Sequence, residues 1–267
     1  MKNNRFFAFG CSYTNYFYPT WADLIGSNYK QYYNYGQPGC SNLYIFNAII
    51  EANIIHKFTK EDTIFIAWTG IDRADGYINN AWKLQLHRDE NYYINYLDQF
   101  KGKLLELMNY VTVLKDLFNA KEISYKFLIL TNIDHDYHAF TKDNCHDVVD
   151  FYKDSISLIY PGFHQVLTNN RDRPIVIAGR SIDDGHHLPW EHYDYVAKFF
   201  PEYVSKTSEL RETLITVYER TVDTDLSTDD QNLAWQNANW PIKINGVALE
   251  HNKFTLIYPP RQITYDN

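Results

Sequence analysis

The sequence lacks the features that mark membrane-spanning and nucleic-acid-binding proteins. It contains no run of Lys or Arg, and its 33 acidic residues outnumber 25 basic ones, so the 267-residue chain carries a formal charge of −8. A protein that binds nucleic acids or anionic membrane surfaces needs a cluster of basic residues on its surface. No segment approaches the roughly 18 consecutive apolar residues of a membrane span, and the apolar run near the N-terminus is too short for a signal peptide. We therefore expect a cytoplasmic protein that binds neither nucleic acid nor a membrane.

Cysteine is scarce, whereas aromatic residues are abundant. The three cysteines, Cys11, Cys40 and Cys145, are odd in number, and their spacing suits neither a zinc cluster nor a disulfide framework. We expect them to be free thiols in a reducing compartment. The 23 Tyr, 16 Phe and 6 Trp make up 17% of the chain. Such rings fill cores, and those with a polar tip also suit sugar faces and acyl chains.

Short apolar runs alternate with helical patterns over most of the chain. Strands are predicted at 6–9, 32–35, 63–68, 126–130 and 174–178, and helices at 19–26, 42–58, 97–120, 190–200 and 204–218. Alternation of this kind predicts a parallel sheet, here of five strands, with helices on both faces. We therefore expect one α/β domain over residues 1–220.

Two segments depart from this alternation. Residues 70–96 are polar and Tyr-rich without a clean period, and an insertion of this length usually carries function or forms a lid. The extension at 221–267 begins with an acidic stretch, which we interpret as solvated. Asn245 and Gly246 then separate two short apolar runs, which is a strong local signal for a hairpin. We predict a C-terminal β-hairpin that packs on the domain.

Polar segments follow the predicted strands. They lie at 10–14, 34–42, 68–73 and 183–189. Ligands of a parallel α/β sheet bind beyond the carboxyl ends of its strands. The segments contain a Ser early in the chain, which can act as a nucleophile, and a glycine loop in the middle, whose amides can donate to an oxyanion. They end with an Asp-x-x-His pair, which can supply a base and its orienting carboxylate. Together the four segments predict a hydrolytic site.

In this order the segments resemble those of the SGNH (GDSL-type) hydrolase family, over about the first 200 residues. The Gly-Cys-Ser at 10–12 is similar to the family's Gly-Asp-Ser, with Cys in place of Asp, and implies that Ser12 is the nucleophile. The resemblance also implies that the amides of Ser12 and Gly39 donate to the oxyanion, that His187 is the base and that Asp184 is its partner. The implied fold is a flavodoxin-like, three-layer α/β/α domain, and the implied activity is that of a serine esterase.

The third segment departs from the family's pattern. The family usually shows Gly-x-Asn-Asp there, with the Asn side chain completing the oxyanion hole, but aligning Asp72 places Ile71 at the Asn position. A hydroxyl or a guanidinium can also donate to an oxyanion, so Thr69 or Arg73 can substitute for that Asn. We assign Thr69 to the oxyanion hole. The residues predicted to contact the substrate are Tyr13, Asp72, Arg73 and His135.

Several assignments have an alternative. The base and its partner can be shifted by one residue, to His186 and Asp183, because both pairs share the Asp-x-x-His spacing. Cys11 can replace Ser12 as nucleophile, but neighbouring side chains point in different directions, so we expect Cys11 to be buried as a small apolar residue. His192 is interpreted as a surface residue of the following helix.

The sequence therefore predicts a serine esterase that removes a small acyl group, such as acetyl, from a carbohydrate or a similar polar substrate. The alternative is a non-catalytic carbohydrate-binding module on the same fold, because Ile71 leaves the oxyanion hole without its usual donor. A third interpretation is a metal-dependent hydrolase that uses His135 and His138. Because a zinc or iron site needs three or four converging ligands, we expect no metal and no cofactor. The oligomeric state is not indicated.

Overall fold

A four-stranded parallel β-sheet lies at the centre of the protein. The computed structural model describes residues 2–78, 81–84, 100–133, 138, 146–152, 154, 162–163, 166, 175–177, 180–182, 188–204, 208–222 and 226–242. The strands of the sheet are β1 (Lys2–Gly10), β2 (Tyr29–Gly36), β3 (Thr63–Trp68) and β6 (Ser124–Ile129), in the order β2-β1-β3-β6. All neighbouring pairs are parallel. Their order is that of the first four strands of a flavodoxin-like sheet.

Helices cover both faces of this sheet. They are α1 (Trp21–Gly26), α2 (Asn42–His56), α3 (Phe100–Ala120), α4 (His146–Phe151), α5 (Pro189–Phe199), α6 (Ser208–Thr221) and α7 (Thr228–Asn237), with a 3₁₀ turn at Pro201–Tyr203. On one face, Phe65 of β3 stacks on Trp21 of α1, with ring centroids 6.3 Å apart. On the other face, Trp68 contacts Tyr110 of α3, which in turn stacks on Phe46 of α2. The predicted parallel sheet with helices on both faces is confirmed. Among the described helices, none is long and apolar enough to cross a membrane.

The segment predicted as a fifth parallel strand, residues 174–178, does not join the central sheet. Ile175–Ile177 forms β7, which pairs antiparallel with β8 (Arg180–Ile182) in a separate two-stranded sheet. The prediction of five parallel strands is therefore wrong, because the described part of the chain contains four in that sheet. A short apolar run does not indicate its pairing partner, and only two residues separate β7 from β8 along the chain.

The long connection after β3 contains a short hairpin. Its strands are β4 (Gly76–Ile78) and β5 (Ala81–Lys83), which pair antiparallel. The helix predicted from residue 97 begins at Phe100. Residues 85–99 lie outside the described part, so the lid stays a prediction.

The C-terminal extension contains a helix, α7, that the sequence analysis did not predict. The hydroxyl of Ser227 accepts a hydrogen bond from the Asp230 amide at 3.2 Å, which caps the first turn. Asp229 and Asp230 lie in that turn, where the helix dipole favours negative charge, and both are exposed. Trp235 is buried and stacks on Tyr218 of α6 at 5.1 Å, which anchors α7 to the domain. The predicted C-terminal hairpin lies outside the described residues.

The abundant aromatic residues account for much of the core. The largest fully buried side chains are all aromatic: Trp21, Trp68, Tyr18, Tyr195, Tyr218, Phe6, Phe7, Phe9, Phe65, Phe100 and Phe118. Each side chain of this size stabilises the fold by roughly 1.5–3 kcal/mol when it is fully removed from water. Much of the aromatic excess is therefore explained by packing.

Candidate active site

Ser12 lies in a tight turn at the carboxyl end of β1. The amides of Thr14 and Asn15 both donate to the Cys11 carbonyl oxygen, at 2.9 and 3.2 Å. The side chain of Ser12 is 5% exposed. Gly10 is required just before the turn, because a Cβ atom there would lie 2.1 Å from Thr14 Oγ1. The backbone thus holds Ser12 at the edge of the sheet where ligands of parallel α/β proteins bind.

The glycine loop after β2 is bound to the end of β1. The Gln37 amide donates to the Gly10 carbonyl oxygen at 2.8 Å, and the thiol of Cys40 contacts the same oxygen at 3.4 Å. Gly39 has a φ of 78°, in the left-handed region that glycine adopts without strain. The predicted oxyanion residue Gly39 is therefore in a loop that is fastened beside the Ser12 turn.

Two asparagines that the sequence analysis did not single out strengthen this connection. Asn34 donates from Nδ2 to the Thr14 carbonyl oxygen at 2.8 Å and accepts at Oδ1 from the Gly36 amide at 2.9 Å. Asn15 donates from Nδ2 to the Gly36 carbonyl oxygen at 2.9 Å. The bonds Asn34–Thr14 and Asn15–Gly36 join residues about 20 positions apart along the chain and tie the residues that follow Ser12 to the end of β2.

The segment after β3 is bound to the start of α2. Asn42 donates from Nδ2 to the Thr69 carbonyl oxygen at 3.1 Å and accepts at Oδ1 from the Thr69 amide at 2.9 Å. Six residues further on, the carboxylate of Asp75 accepts a hydrogen bond from the Ser41 amide. Neither Asn42 nor Asp75 is among the site residues that the sequence predicts. Neither link has a local signal, because each joins residues that only the fold brings together.

This arrangement limits what Thr69 can donate to an oxyanion. Its amide already bonds to Asn42, so a donor from Thr69 would be its hydroxyl. The Thr69 side chain is fully buried, and its hydroxyl has no hydrogen-bond partner among the described residues. Ile71, at the position of the family's Asn, is 3% exposed and has no polar side-chain atom.

Arg73 brings a positive charge to the same place. Its side chain is half-buried and interacts electrostatically with Cys11, Cys40, Asp72 and Tyr13. Burial disfavours the charged guanidinium, but these four interactions together outweigh that effect and raise the pKa of Arg73. Arg73 therefore remains protonated beside the residues that adjoin Ser12 and Gly39 in the chain.

Tyr13 points into the core, towards α5. Its side chain is 4% exposed, and its ring lies 6.2 Å from Phe163 and 6.3 Å from His192. The interpretation of His192 as a surface residue is wrong, because only 1% of it is exposed. His192 precedes Val196 by four positions, and both are buried on the inward face of α5. The contact of Tyr13 with substrate stays a prediction.

The predicted acid and base lie outside the described residues. This holds for Asp183, Asp184, His186 and His187, and also for His135. The chain is described again from Leu188, which directly follows His187 and is buried in one cluster with Tyr18, Tyr218 and Trp235. No group of three metal-ligating side chains occurs among the described residues.

Replacing Asn42 by alanine should uncouple the Thr69 segment from α2. We expect the free energy of unfolding to fall by about 1–3 kcal/mol, because both buried backbone groups of Thr69 lose their partner. The matched control is Asn47→Ala on the same helix, which removes one half-buried bond to the Leu43 carbonyl oxygen and introduces a better helix former. Urea unfolding of both variants measures the difference. Equal losses would mean that the Asn42 bonds do not hold this segment.

Similarity of this chain to known proteins is found among solved structures. No protein-family model matches it, and no curated protein is significantly similar to it in sequence. Among solved structures it is similar to a lipolytic G-D-S-L family protein from Veillonella parvula, at 15% identity and a TM-score of 0.40, over 74% of this chain and 98% of that one. It is also similar to a mutant of an acetyl-xylooligosaccharide esterase from Geobacillus stearothermophilus, at 13% identity and a TM-score of 0.41, over 77% and 98% of the two chains.

Proposed function

We propose that the protein is a serine esterase that removes a small acyl group from a carbohydrate or a similar polar substrate. The observation that carries this proposal is the meeting of three chain segments, namely the Ser12 turn, the Gly39 loop and the Thr69 segment. The loop of Gly39 is bonded to the carbonyl of Gly10, and the segment of Thr69 is bonded to Asn42 at the end of that loop. Such a meeting of loops at the carboxyl ends of parallel strands is where α/β proteins bind their ligands.

In the proposed mechanism Ser12 Oγ attacks the ester carbonyl while His187 takes its proton. Asp184 holds the imidazole of His187 in the required tautomer, and the amides of Ser12 and Gly39 donate to the oxyanion. The imidazolium then protonates the leaving alcohol, and water hydrolyses the acyl-enzyme by the same route. All the proton transfers use one imidazole, so no metal is needed.

The surroundings of Ser12 favour a small acyl group and a polar alcohol. Ser12 is almost buried, so a long acyl chain would have to displace the packed turn around it. Asp72 and Arg73 place both signs of charge, on half-buried side chains, in the segment after β3. Charged hydrogen-bonding groups of this kind suit the hydroxyls of a sugar.

Labelling with a fluorophosphonate tests the nucleophile. We expect one label per wild-type chain, on Ser12, together with hydrolysis of p-nitrophenyl acetate, because the reagent reacts with activated serines. Ser12→Ala should abolish both. The control is Ser27→Ala, which removes an exposed hydroxyl after α1 that donates to the Leu24 carbonyl oxygen. Equal labelling of wild type and Ser12→Ala would refute the proposed nucleophile.

A second candidate is a carbohydrate-binding module without turnover. The buried Ile71 at the position of the usual oxyanion donor favours it, because loss of one such donor costs about 10²- to 10³-fold in rate. This candidate predicts glycan binding that survives Ser12→Ala, and no turnover in wild type. A burst of product equal to the enzyme concentration, from acyl-enzyme formation, would eliminate it.

A further inference from the structure

We propose that Asp75 is a positioning residue, which fixes the start of α2 and thereby the predicted oxyanion donor Gly39. This inference depends on the proposed esterase function. Asp75 is 7% exposed, and its carboxylate accepts a hydrogen bond from the Ser41 amide. Ser41 follows Gly39 by two positions, so this bond holds the chain directly after the glycine loop.

Gly39 is the third residue of a hydrogen-bonded turn. The Cys40 amide donates to the Gln37 carbonyl oxygen at 3.2 Å, which closes the turn over Pro38 and Gly39. Proline at the second position and a φ of 78° at the third are typical of a type II turn. The bond across such a turn is made by the fourth amide, so the turn does not require the amide of Gly39. The direction of that amide is set by the two ends of the turn.

Different parts of the fold hold these two ends. At the first residue of the turn, the Gln37 amide donates to the Gly10 carbonyl oxygen at 2.8 Å. Just after the last residue, the Ser41 amide donates to the carboxylate of Asp75. If the second bond is lost while the first remains, the turn is held at one end only. The Gly39 amide is then free to shift relative to the nucleophile.

Helix α2 has no local acceptor for the Ser41 amide. In a capping box that acceptor is a Glu or Gln side chain three residues after the N-cap, but this position in α2 is Tyr44. The first turn of α2 contains no acidic residue, and the Ser41 hydroxyl makes no capping bond. A buried amide at a helix start needs an acceptor. Asp75 supplies it from 34 positions further along the chain.

The reaction depends on the place of the Gly39 amide at one step. When Ser12 Oγ bonds to the ester carbon, negative charge develops on the former carbonyl oxygen, and the amide donates to it. A donor displaced by about 1 Å stabilises this charge less, whereas binding of the neutral ester changes little. Asp75 therefore affects kcat more than KM, although it does not contact the reacting atoms.

The test is steady-state kinetics of Asp75→Ala and Asp75→Asn with p-nitrophenyl acetate. Rates are expressed per Ser12 that a fluorophosphonate labels at completion, so that unfolded protein does not count. We expect Asp75→Ala to lower kcat by about 10²-fold at nearly constant KM. Asp75→Asn should stay within about tenfold of wild type, because its amide oxygen can still accept from the Ser41 amide. Equal losses in both variants would mean that the charge matters and the bond does not, which overturns the proposal.

The matched control is Asp62→Ala. The Asp62 carboxylate is also buried and also accepts from a backbone amide, that of Thr59 at 2.8 Å, but it directly precedes β3, at the opposite edge of the sheet. Its loss leaves Arg5 without its ion-pair partner as well. Asp62→Ala should therefore lower the melting temperature at least as much as Asp75→Ala and leave kcat unchanged. If both variants lose kcat in proportion to their melting temperatures, Asp75 has only a structural role.

A double-mutant cycle with Gly39→Ala tests whether Asp75 acts through the glycine loop. Alanine is strained at a φ of 78°, so Gly39→Ala alone should lower kcat. If Asp75 acts through Gly39, the double variant should lose little more than the worse single variant. Losses that multiply would show that the two residues act independently and would contradict the proposal.

The remaining outcomes separate the role of Asp75 from the esterase function. If Asp75→Ala does not fold, Asp75→Glu replaces it, because its carboxylate lies one methylene further out and should lower kcat at nearly constant KM. Full activity of the folded variant refutes the role of Asp75 and leaves the esterase function intact. A wild-type protein that neither labels at Ser12 nor turns over refutes the esterase function itself.

Discussion

Replacing His187 by alanine is expected to lower kcat for ester hydrolysis by about 10⁴- to 10⁶-fold. In the proposed mechanism one imidazole takes the proton of Ser12 and later protonates the leaving alcohol, so both halves of the reaction lose their proton transfer. The adjacent His186 provides the matched control, because two neighbouring residues cannot both be that base. We expect His186→Ala to stay within about tenfold of wild type, since its imidazole takes no part in the proposed proton transfers. The measurement is kcat for p-nitrophenyl acetate at neutral pH.

The carboxylates give the same comparison independently. Asp184→Asn should lower kcat by about 10⁴-fold, because an amide stabilises the wrong imidazole tautomer, whereas Asp183→Asn should have a small effect. Both candidate pairs lie outside the described residues, and Leu188, the residue after His187, is buried in one cluster with Tyr18. Large losses at His186 and Asp183, with little change at the other pair, would move the assignment by one residue.

The sequence predicts those features of the fold that depend on residues close together in the chain. β3 is observed at Thr63–Trp68, the bounds predicted from its continuous apolar run, and every residue in it is buried. A strand covered on both faces has this pattern because neither face can expose polar side chains. The turns at Gly10 and Gly39 are equally local, since glycine is needed where no Cβ fits or where φ is positive.

Contacts between distant residues could not be predicted in the same way. The bonds between Asn42 and Thr69 span 27 positions and exist only because α2 starts beside the end of β3. The burial of His192 likewise depends on which side of α5 packs against the domain. The failed fifth strand has the same origin: the apolar residues at 175–177 satisfy either a parallel sheet or a hairpin, and the choice is made by tertiary structure.

Turn signals in the sequence predict the two loops that carry Ser12 and Gly39, but not the contacts that join them. The structure brings these loops together through the carbonyl of Gly10. Arg73 was predicted only as a substrate contact or a substitute donor, because its proximity to Cys11 and Cys40 follows from folding. Residues that position a site without contacting the reacting atoms carry no chemical signature in the sequence.

Replacing Gly10 by alanine is expected to cost both stability and activity. The new Cβ atom would lie 2.1 Å from Thr14 Oγ1 and 3.0 Å from the Ala67 carbonyl oxygen, and the second contact is with backbone that cannot rotate away. We expect the free energy of unfolding to fall by about 1–3 kcal/mol, as for other overpacked sites. Because the turn that carries Ser12 must move, kcat should fall by about 10²-fold or more even in the folded fraction.

The matched control for Gly10→Ala is Gly102→Ala, because a Cβ atom at Gly102 meets nothing within 4 Å. Gly102 is exposed in α3, so alanine there should raise the free energy of unfolding by about 0.5–1 kcal/mol through helix propensity and leave kcat unchanged.

Adding Thr14→Ala to Gly10→Ala removes the closest clash and should restore part of the lost stability, a coupling that a double-mutant cycle measures. If Gly10→Ala unfolds like Gly102→Ala and keeps full activity, the turn does not hold Ser12 in the way the structure indicates.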